Sequence, residues 1–172
     1  MTDVKETAKM AVEKLMTPEE KGCAAESVIR HYAMWSMGVG LVPVAFLDFA
    51  ALGVVQYNLC GKLCGIYGVP VASDRIRAIV ATLVSAVLPN FVARSLVKLL
   101  PFVGPSLGAA SLPLLCGAST LALGKVFTRH LAEGGTLLDF EPAKFKTCFV
   151  EHFESAKKVI PSMQKESARA TA

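Results

Sequence analysis

Asp48 is the residue best placed to do chemistry, because its carboxylate is the sole formal charge between residues 33 and 60. An ionisable group in so apolar a stretch is costly to bury and tends to face a partner, a cavity or an ion path. It can equally serve structure, accepting hydrogen bonds from amides around Gly38 to Pro43 or pairing with Arg30 or Arg94. Cys60 and Cys64 stand one helical turn apart and would hold a soft metal if two further ligands converged on them. Neither a CxxC nor an HxxxH pair accompanies them, so core or lipid-facing thiols are the plainer reading. His31, His130 and His152 are isolated, and no Ser or Cys nucleophile stands in a recognisable triad context. A phosphate-cradling GxxxxGK[ST] loop is also absent. These residues predict no catalysis, no cofactor and no resident metal.

The elements that carry them are helical throughout. Asp3 to Leu15 puts Val4, Ala8, Ala11, Val12 and Leu15 on one stripe, as an amphipathic helix does. Thr17-Pro18-Glu19-Glu20 restarts a helix: Thr17 caps, Pro18 suits the first turn and Glu20 completes a capping box. That helix is expected to reach about Met37. Gly38-Val39-Gly40-Leu41-Val42-Pro43 then reads as a hinge, and Val44 to about Tyr67 as a further helix ended by Gly68-Val69-Pro70. Ser73 is placed to cap the next helix, expected to run through Arg75 and Arg77 into a charge-free stretch from Ala78 to Ala93, interrupted by Pro89. Leu99 to Pro105 forms a second hinge, around Pro101 and Gly104.

Between Lys98 and Lys125 lie 26 uncharged residues. A straight helix of that length would reach roughly 39 Å, enough for a tilted span of the ~30 Å hydrocarbon core. The glycines and prolines, Pro113 among them, point instead to a broken helix or hairpin. Gly104 and Gly108, Gly61 and Gly65, and Ala118 and Ala122 are each four apart and predict close helix crossings. After Lys125 the chain turns polar, passes Gly134-Gly135, and starts a last helix at Pro142. Phe145, Phe149, His152, Phe153, Ala156 and Ile160 mark its packing face, against the first helix or a neighbouring subunit. Pro161 is expected to bend or stop it, and Ser167 to Ala172 to fray.

Apolar residues make up 53% of the 172 and charged ones 19%, with a mean hydropathy of +0.48, pointing to membrane contact or heavy oligomer burial. The net charge of +4 is uneven: residues 61–98 hold five basic side chains against Asp74, and 99–124 hold no charge. That pattern suits anionic headgroups and leaves no nucleic-acid footprint. Trp35 and Tyr32, at the start of the first long apolar segment, favour the headgroup zone, although Trp35 could instead fill the core. Five cysteines without a secreted-framework spacing read as reduced thiols. Met1 to Glu6 lacks the basic start and apolar run of a signal peptide, so export is not expected.

Ile29-Arg30-His31-Tyr32-Ala33-Met34-Trp35-Ser36, the Gly38 to Pro43 hinge with Asp48, and Gln56 with Leu63 and Tyr67-Gly68-Val69-Pro70 form a recognisable series. It continues through Leu88-Pro89, Pro101-Phe102-Val103-Gly104, Ala118 to Phe127 and Gly134 to Phe140. Over about residues 24 to 160 this series resembles domain of unknown function family 697, the YcjF-like family of bacteria, in a stand-alone form. The resemblance implies a helical membrane-associated protein, sometimes working beside an Era-like GTPase, so any nucleotide switch here would come from a partner. Ala45 departs from it, standing where many relatives show a second hinge proline.

Taken together, the expectation is an all-α bundle of broken helical hairpins, membrane-associated, with amphipathic N- and C-terminal helices. Its parts would be an N-terminal helix (1–17), a hydrophobic hairpin region (18–133) and a C-terminal polar helix and tail (134–172). The function expected is a non-enzymatic scaffold or adaptor that self-associates, contacts lipid and partners a GTPase or shapes membrane. The residues expected to carry its interactions are Asp48, Gly38, Gly40, Pro43, Pro101, Gly104, Gly108 and Arg30. A channel or transporter component using Asp48, and a soluble helical oligomer, stand as alternatives. The expected location is the cytoplasmic side of the bacterial inner membrane, both termini and residues 61–77 cytoplasmic, with no nucleic-acid partner.

Overall fold

In a computed structural model the described residues, 16–39, 47–87, 89 and 104–170, form five α-helices and no strand. These are α1 (Pro18–Val39), α2 (Leu47–Tyr67), α3 (Ser73–Ser85), α4 (Gly104–Ala132) and α5 (Pro142–Ala170). The expected helix at Asp3 to Leu15 lies outside the described residues, as do Gly40 and Pro43 of the first hinge and Pro101 of the second.

Local chemistry sets several boundaries. At the start of α1 the Thr17 amide donates to Glu20 Oε2 (2.7 Å) and the Glu20 amide to Thr17 Oγ1 (3.3 Å), the reciprocal capping box. Gly68 (φ 71°) ends α2 and Gly134 (φ 86°) follows α4, both in the left-handed region that other residues enter at a cost. The amides of Val69 and Gly135 reach back to the carbonyls of Cys64 and His130, at 2.9 Å each, closing both helix ends. Ser73 does not cap α3: Ala72 holds that position without a side-chain bond, and the Ser73 hydroxyl meets the Tyr57 phenol instead (2.9 Å). That helix ends at Ser85, in a turn where the Ala86 and Val87 amides reach only three residues back, to Leu83 and Val84.

Two further expectations are corrected. The 104–124 stretch is neither a hairpin nor a broken helix, since α4 runs unbroken through Pro113 to Ala132, past Lys125. Likewise α5 continues through Pro161 to Ala170, so that proline does not stop it and the end is helical. An interior proline costs about 3 kcal/mol of helix, and burial can exceed that. Around α4 every described residue from Leu115 to Gly124 is buried. A helix apolar on all sides belongs in a core, and this core is supplied by α1, α2, α3 and α5. No helix among the described residues is long and apolar enough to cross a membrane.

Contacts fix the directions. Gly117 abuts Met37 and Gly124 abuts Ile29, so α1 and α4 are antiparallel. Ile160 also meets Gly117 and Phe145 meets His130, so α5 runs against α4 as well. Gln56 bonds Ser119, and Arg77 lies over Tyr57. Arg75 at the start of α3 also bonds the Leu138 carbonyl in the turn after α4, and only residues 68–72 link α2 to α3, so α2 runs with α4 and α3 returns beside α2. The ends at Val39, Leu47, Ser85, Gly104 and Ala170 therefore share one pole of the bundle, and the Tyr67–Ser73 and Ala132–Pro142 turns the other.

Candidate functional site: a charge-poor pole and the Gln56 node

The end of the bundle at which Val39, Leu47, Ser85 and Gly104 end or begin their helices draws on the chain's least charged sequence. Residues 33–60 hold only Asp48, and 99–124 hold nothing charged. Arg94 and Lys98, in the sequence between α3 and α4, lie outside the described residues. Because Gly117 lies level with Met37, the 13 positions back to Gly104 carry α4 roughly 20 Å past that level at 1.5 Å per residue. Alongside it, the last turns of α5 carry Lys165, Glu166 and Arg169, all exposed.

The opposite pole is polar. Asp139 accepts from the Thr136 amide (2.6 Å) and hydroxyl (2.7 Å), and those hydrogen bonds lower its carboxyl from the ordinary 3.8 to about 2. The Arg75 guanidinium donates to the Leu138 carbonyl (2.7 Å), tying α3 to this turn. His130 Nε2 donates to the Thr136 carbonyl (2.9 Å), and the ring packs edge-on against Phe140 and Phe145. Gly135 lies directly under the His130 ring, leaving no room for a Cβ.

Between the poles lies one buried polar node. Gln56 Nε2 donates across α2–α4 to Ser119 Oγ (3.0 Å) and Thr120 Oγ1 (3.4 Å). Both hydroxyls give their protons to the Cys116 carbonyl, at 3.0 and 2.9 Å, so towards Gln56 they can only accept. The amide orientation is thereby fixed, and Gln56 Oε1 is buried with no hydrogen-bond partner. That residue also lines a groove of about 430 Å³ between α2 and α3.

A belt of amphipathic side chains runs at the same level. Following the antiparallel pairing of α1 with α4, Trp35 falls opposite Ser119, and Tyr57 and Arg77 lie beside Gln56. Trp35 is 65% exposed and fills no core. It forms a surface face with Arg30, His31, Met34 and Gly38 of α1 and Met163 and Glu166 of α5.

The expected interaction residues are dispersed. Arg30 is exposed on α1 and pairs with Glu26 (3.5 Å). Gly38 is exposed near the end of α1 with open space around it. Asp48 is the second residue of α2, and Gly104 and Gly108 belong to the first turns of α4; the surroundings of all three lie outside the described residues. Among the described residues, close crossings fall at Gly117 and Gly124, where a Cβ would stand 2.7 Å from Met37 Cγ and 2.6 Å from Ile29 Cγ1. Gly61 faces open space, so its pairing with Gly65 makes no crossing there. Cys60 and Cys64 are buried, and burial pushes the Cys64 thiol up to about 11. No three His, Cys, Asp or Glu side chains gather among the described residues. In the sequence Gln56 is a polar residue within an apolar helix, and the adjacent hydroxyls Ser119-Thr120 inside an apolar run are the signal of its partners.

An all-helical bundle with one charge-poor pole defines the class. A protein of Magnetospirillum gryphiswaldense, magnetosome membrane protein 22, is 32% identical over 160 residues, covering 88% of this chain and 82% of the relative. The chain belongs to the family of that protein. No family model matches the chain, and no solved structure matches it.

Proposed function

We propose that this chain is a non-enzymatic, membrane-associated scaffold whose charge-poor pole dips into one leaflet while its polar pole stays in water to meet partners. The observation that carries the reading is the sequence on the pole side of the Trp35, Tyr57 and Arg77 level, where α1, α3 and α4 carry no charge, α2 carries only Asp48, and the exposed charges Lys165, Glu166 and Arg169 all belong to α5. Aromatic and long basic side chains favour the headgroup zone. From that belt to Gly104 α4 reaches roughly 22 Å, less than the ~30 Å hydrocarbon core, and no helix among the described residues is long and apolar enough to cross it, which supports a dip into one leaflet. Similarity to a magnetosome membrane protein supports membrane association. The orientation proposed puts the polar pole in the cytoplasm. The YcjF-like resemblance adds a GTPase as a partner for that pole, and self-association through the α1–α5 face around Trp35 belongs to the same proposal.

Trp35 is the chain's one tryptophan, which makes it a site-specific reporter. With vesicles containing anionic lipid, the protein is expected to float and its emission to shift blue. Bromines placed shallow in the acyl chains should quench it more than bromines near the bilayer centre. Recovery as a monomer that neither floats nor shifts defeats the proposal; a stable oligomer that ignores vesicles would favour the soluble-assembly reading.

A further inference from the structure

We propose that the cleft where α1, α4 and α5 meet is a binding seat for inorganic hydrogen phosphate, a site that stands independently of the membrane reading above. Its floor is Lys125. Every other residue of α4 from Leu115 to Phe127 is buried, so the ammonium rises through the one opening that the surrounding helices leave over this stretch. Arg30 and Glu26 of α1 line one side and His152 and Ser155 of α5 the other, around a cavity of about 100 Å³. That is the room of about three waters at ~30 Å³ each, enough for one tetrahedral oxyanion and too little for a nucleotide. Gly124 abuts Ile29 at this level, roughly 9 Å from Ser119 towards the polar pole, within reach of a soluble ion.

Three features name the occupant. The first is uncompensated positive charge. Among the described residues the Lys125 ammonium has no ion pair and the Ser155 hydroxyl no hydrogen bond. Burial first, then the Lys125 cation, push the His152 imidazole below its ordinary 6.5; Arg129 reinforces them and Glu151 opposes, so cations dominate the field here. The second is the donor set. An ammonium, a guanidinium, an imidazole and a hydroxyl from three helices suit a group that accepts from several directions. Arg30 is held only by Glu26 of its own helix, at 3.5 Å with both side chains about half exposed, so its fork is free to turn. The third is Glu26, the one carboxylate in the lining. It repels a fully ionised anion such as sulfate, but accepts the proton that hydrogen phosphate keeps at neutral pH. A phosphate monoester, with a second pKa of about 6, has lost that proton at pH 7.5. The lining therefore selects the inorganic ion.

The test uses the purified full chain in non-ionic detergent at pH 7.5 and fixed ionic strength, titrated with sodium phosphate or sodium sulfate in a calorimeter. One phosphate per chain is expected, with sulfate bound about tenfold more weakly, the scale of one charge-assisted hydrogen bond. Phosphate should also move the His152 ring resonances and leave those of His130, in the polar turn, in place. Lys125→Gln, at an exposed position, should weaken phosphate binding about tenfold, and Lys125→Arg should restore it. Glu26→Gln should bring sulfate up to match phosphate. Equal affinity of the wild type for the two ions, undiminished phosphate binding by Lys125→Gln, a Glu26→Gln chain that still rejects sulfate, or unmoved His152 resonances would overturn the proposal. So would tighter binding of free glycerol 3-phosphate or of phosphatidic acid vesicles than of inorganic phosphate, which would give the seat to a soluble ester or to a lipid headgroup. Flotation with vesicles, read separately, decides the membrane reading alone.

Discussion

Gln56 Nε2 donates to Ser119 Oγ at 3.0 Å, and because that hydroxyl spends its own proton on Cys116, the opposite end of the amide has no donor. Removing the whole amide should therefore cost little. Gln56→Leu, measured by urea denaturation without added lipid, is expected to match the wild type within about 1 kcal/mol. Ser119→Ala leaves an amide proton short of its acceptor and should cost about 1–2 kcal/mol. A loss above about 2 kcal/mol in Gln56→Leu would mean that Oε1 has a donor after all.

The two close crossings should respond differently to a methyl group. At Gly124 a Cβ meets three atoms of Ile29, a stiff β-branched side chain that is itself buried. At Gly117 the nearest atom belongs to Met37, which has more rotatable bonds with which to move. Alanine returns about 1 kcal/mol of helix propensity at either site, and overpacking takes about 1–3 kcal/mol. Gly117→Ala should be near neutral and Gly124→Ala clearly destabilised; thermal melts showing the reverse order would contradict the crossing geometry.

These glycines show what the sequence makes legible and what it hides. The capping box of Thr17 and Glu20, the Gly68 stop, the start at Pro142 and the Phe149, Phe153 and Ile160 stripe are all local or periodic signals, and each is found in the fold. Which face of an apolar helix meets a neighbour is not local. Gly61 and Gly65 have the spacing of a crossing, yet Gly61 looks outward, while Gly117 and Gly124, seven apart, do the packing. Pro113 and Pro161 were misleading for the same reason: burial along α4 and α5 outweighs a local penalty that sequence displays and packing does not. Of the node, Gln56 was visible as an oddity, but its partners stand 63 and 64 residues away.

Strong acid should loosen the polar pole at Asp139. Its carboxyl is held at about 2 by the Thr136 hydrogen bonds, below the ordinary 3.8, so the folded state favours the ionised form. The stabilisation is fully present above about pH 4 and is lost as pH falls towards 2. Asp139→Asn keeps an oxygen for Thr136 but not the charge. Wild type should therefore be the more stable at pH 6, and the two denaturation midpoints should converge as pH falls through that window. A constant gap down to pH 2.5 would mean the charge is not what holds the turn.

Thiol reactivity reads the packing of the whole bundle. Cys23 is exposed and Cys148 half-buried, whereas Cys60, Cys64 and Cys116 are buried. The thiolate is the reactive form, and a thiol raised to about 11, as Cys64 is, is ionised in only about one molecule in a thousand at pH 8. Burial raises Cys60 further still. An aromatic disulfide reagent at pH 8 should therefore find one fast thiol and one slower. The remaining three should react only through opening of the bundle, at rates that climb with denaturant. Assigning the modified peptides by mass spectrometry makes the test specific: Cys60 or Cys64 labelled as fast as Cys23 in native buffer would mean that α2 does not pack against α4 as described. The same labelling with vesicles present should leave Cys23, near the polar pole, as reactive as before.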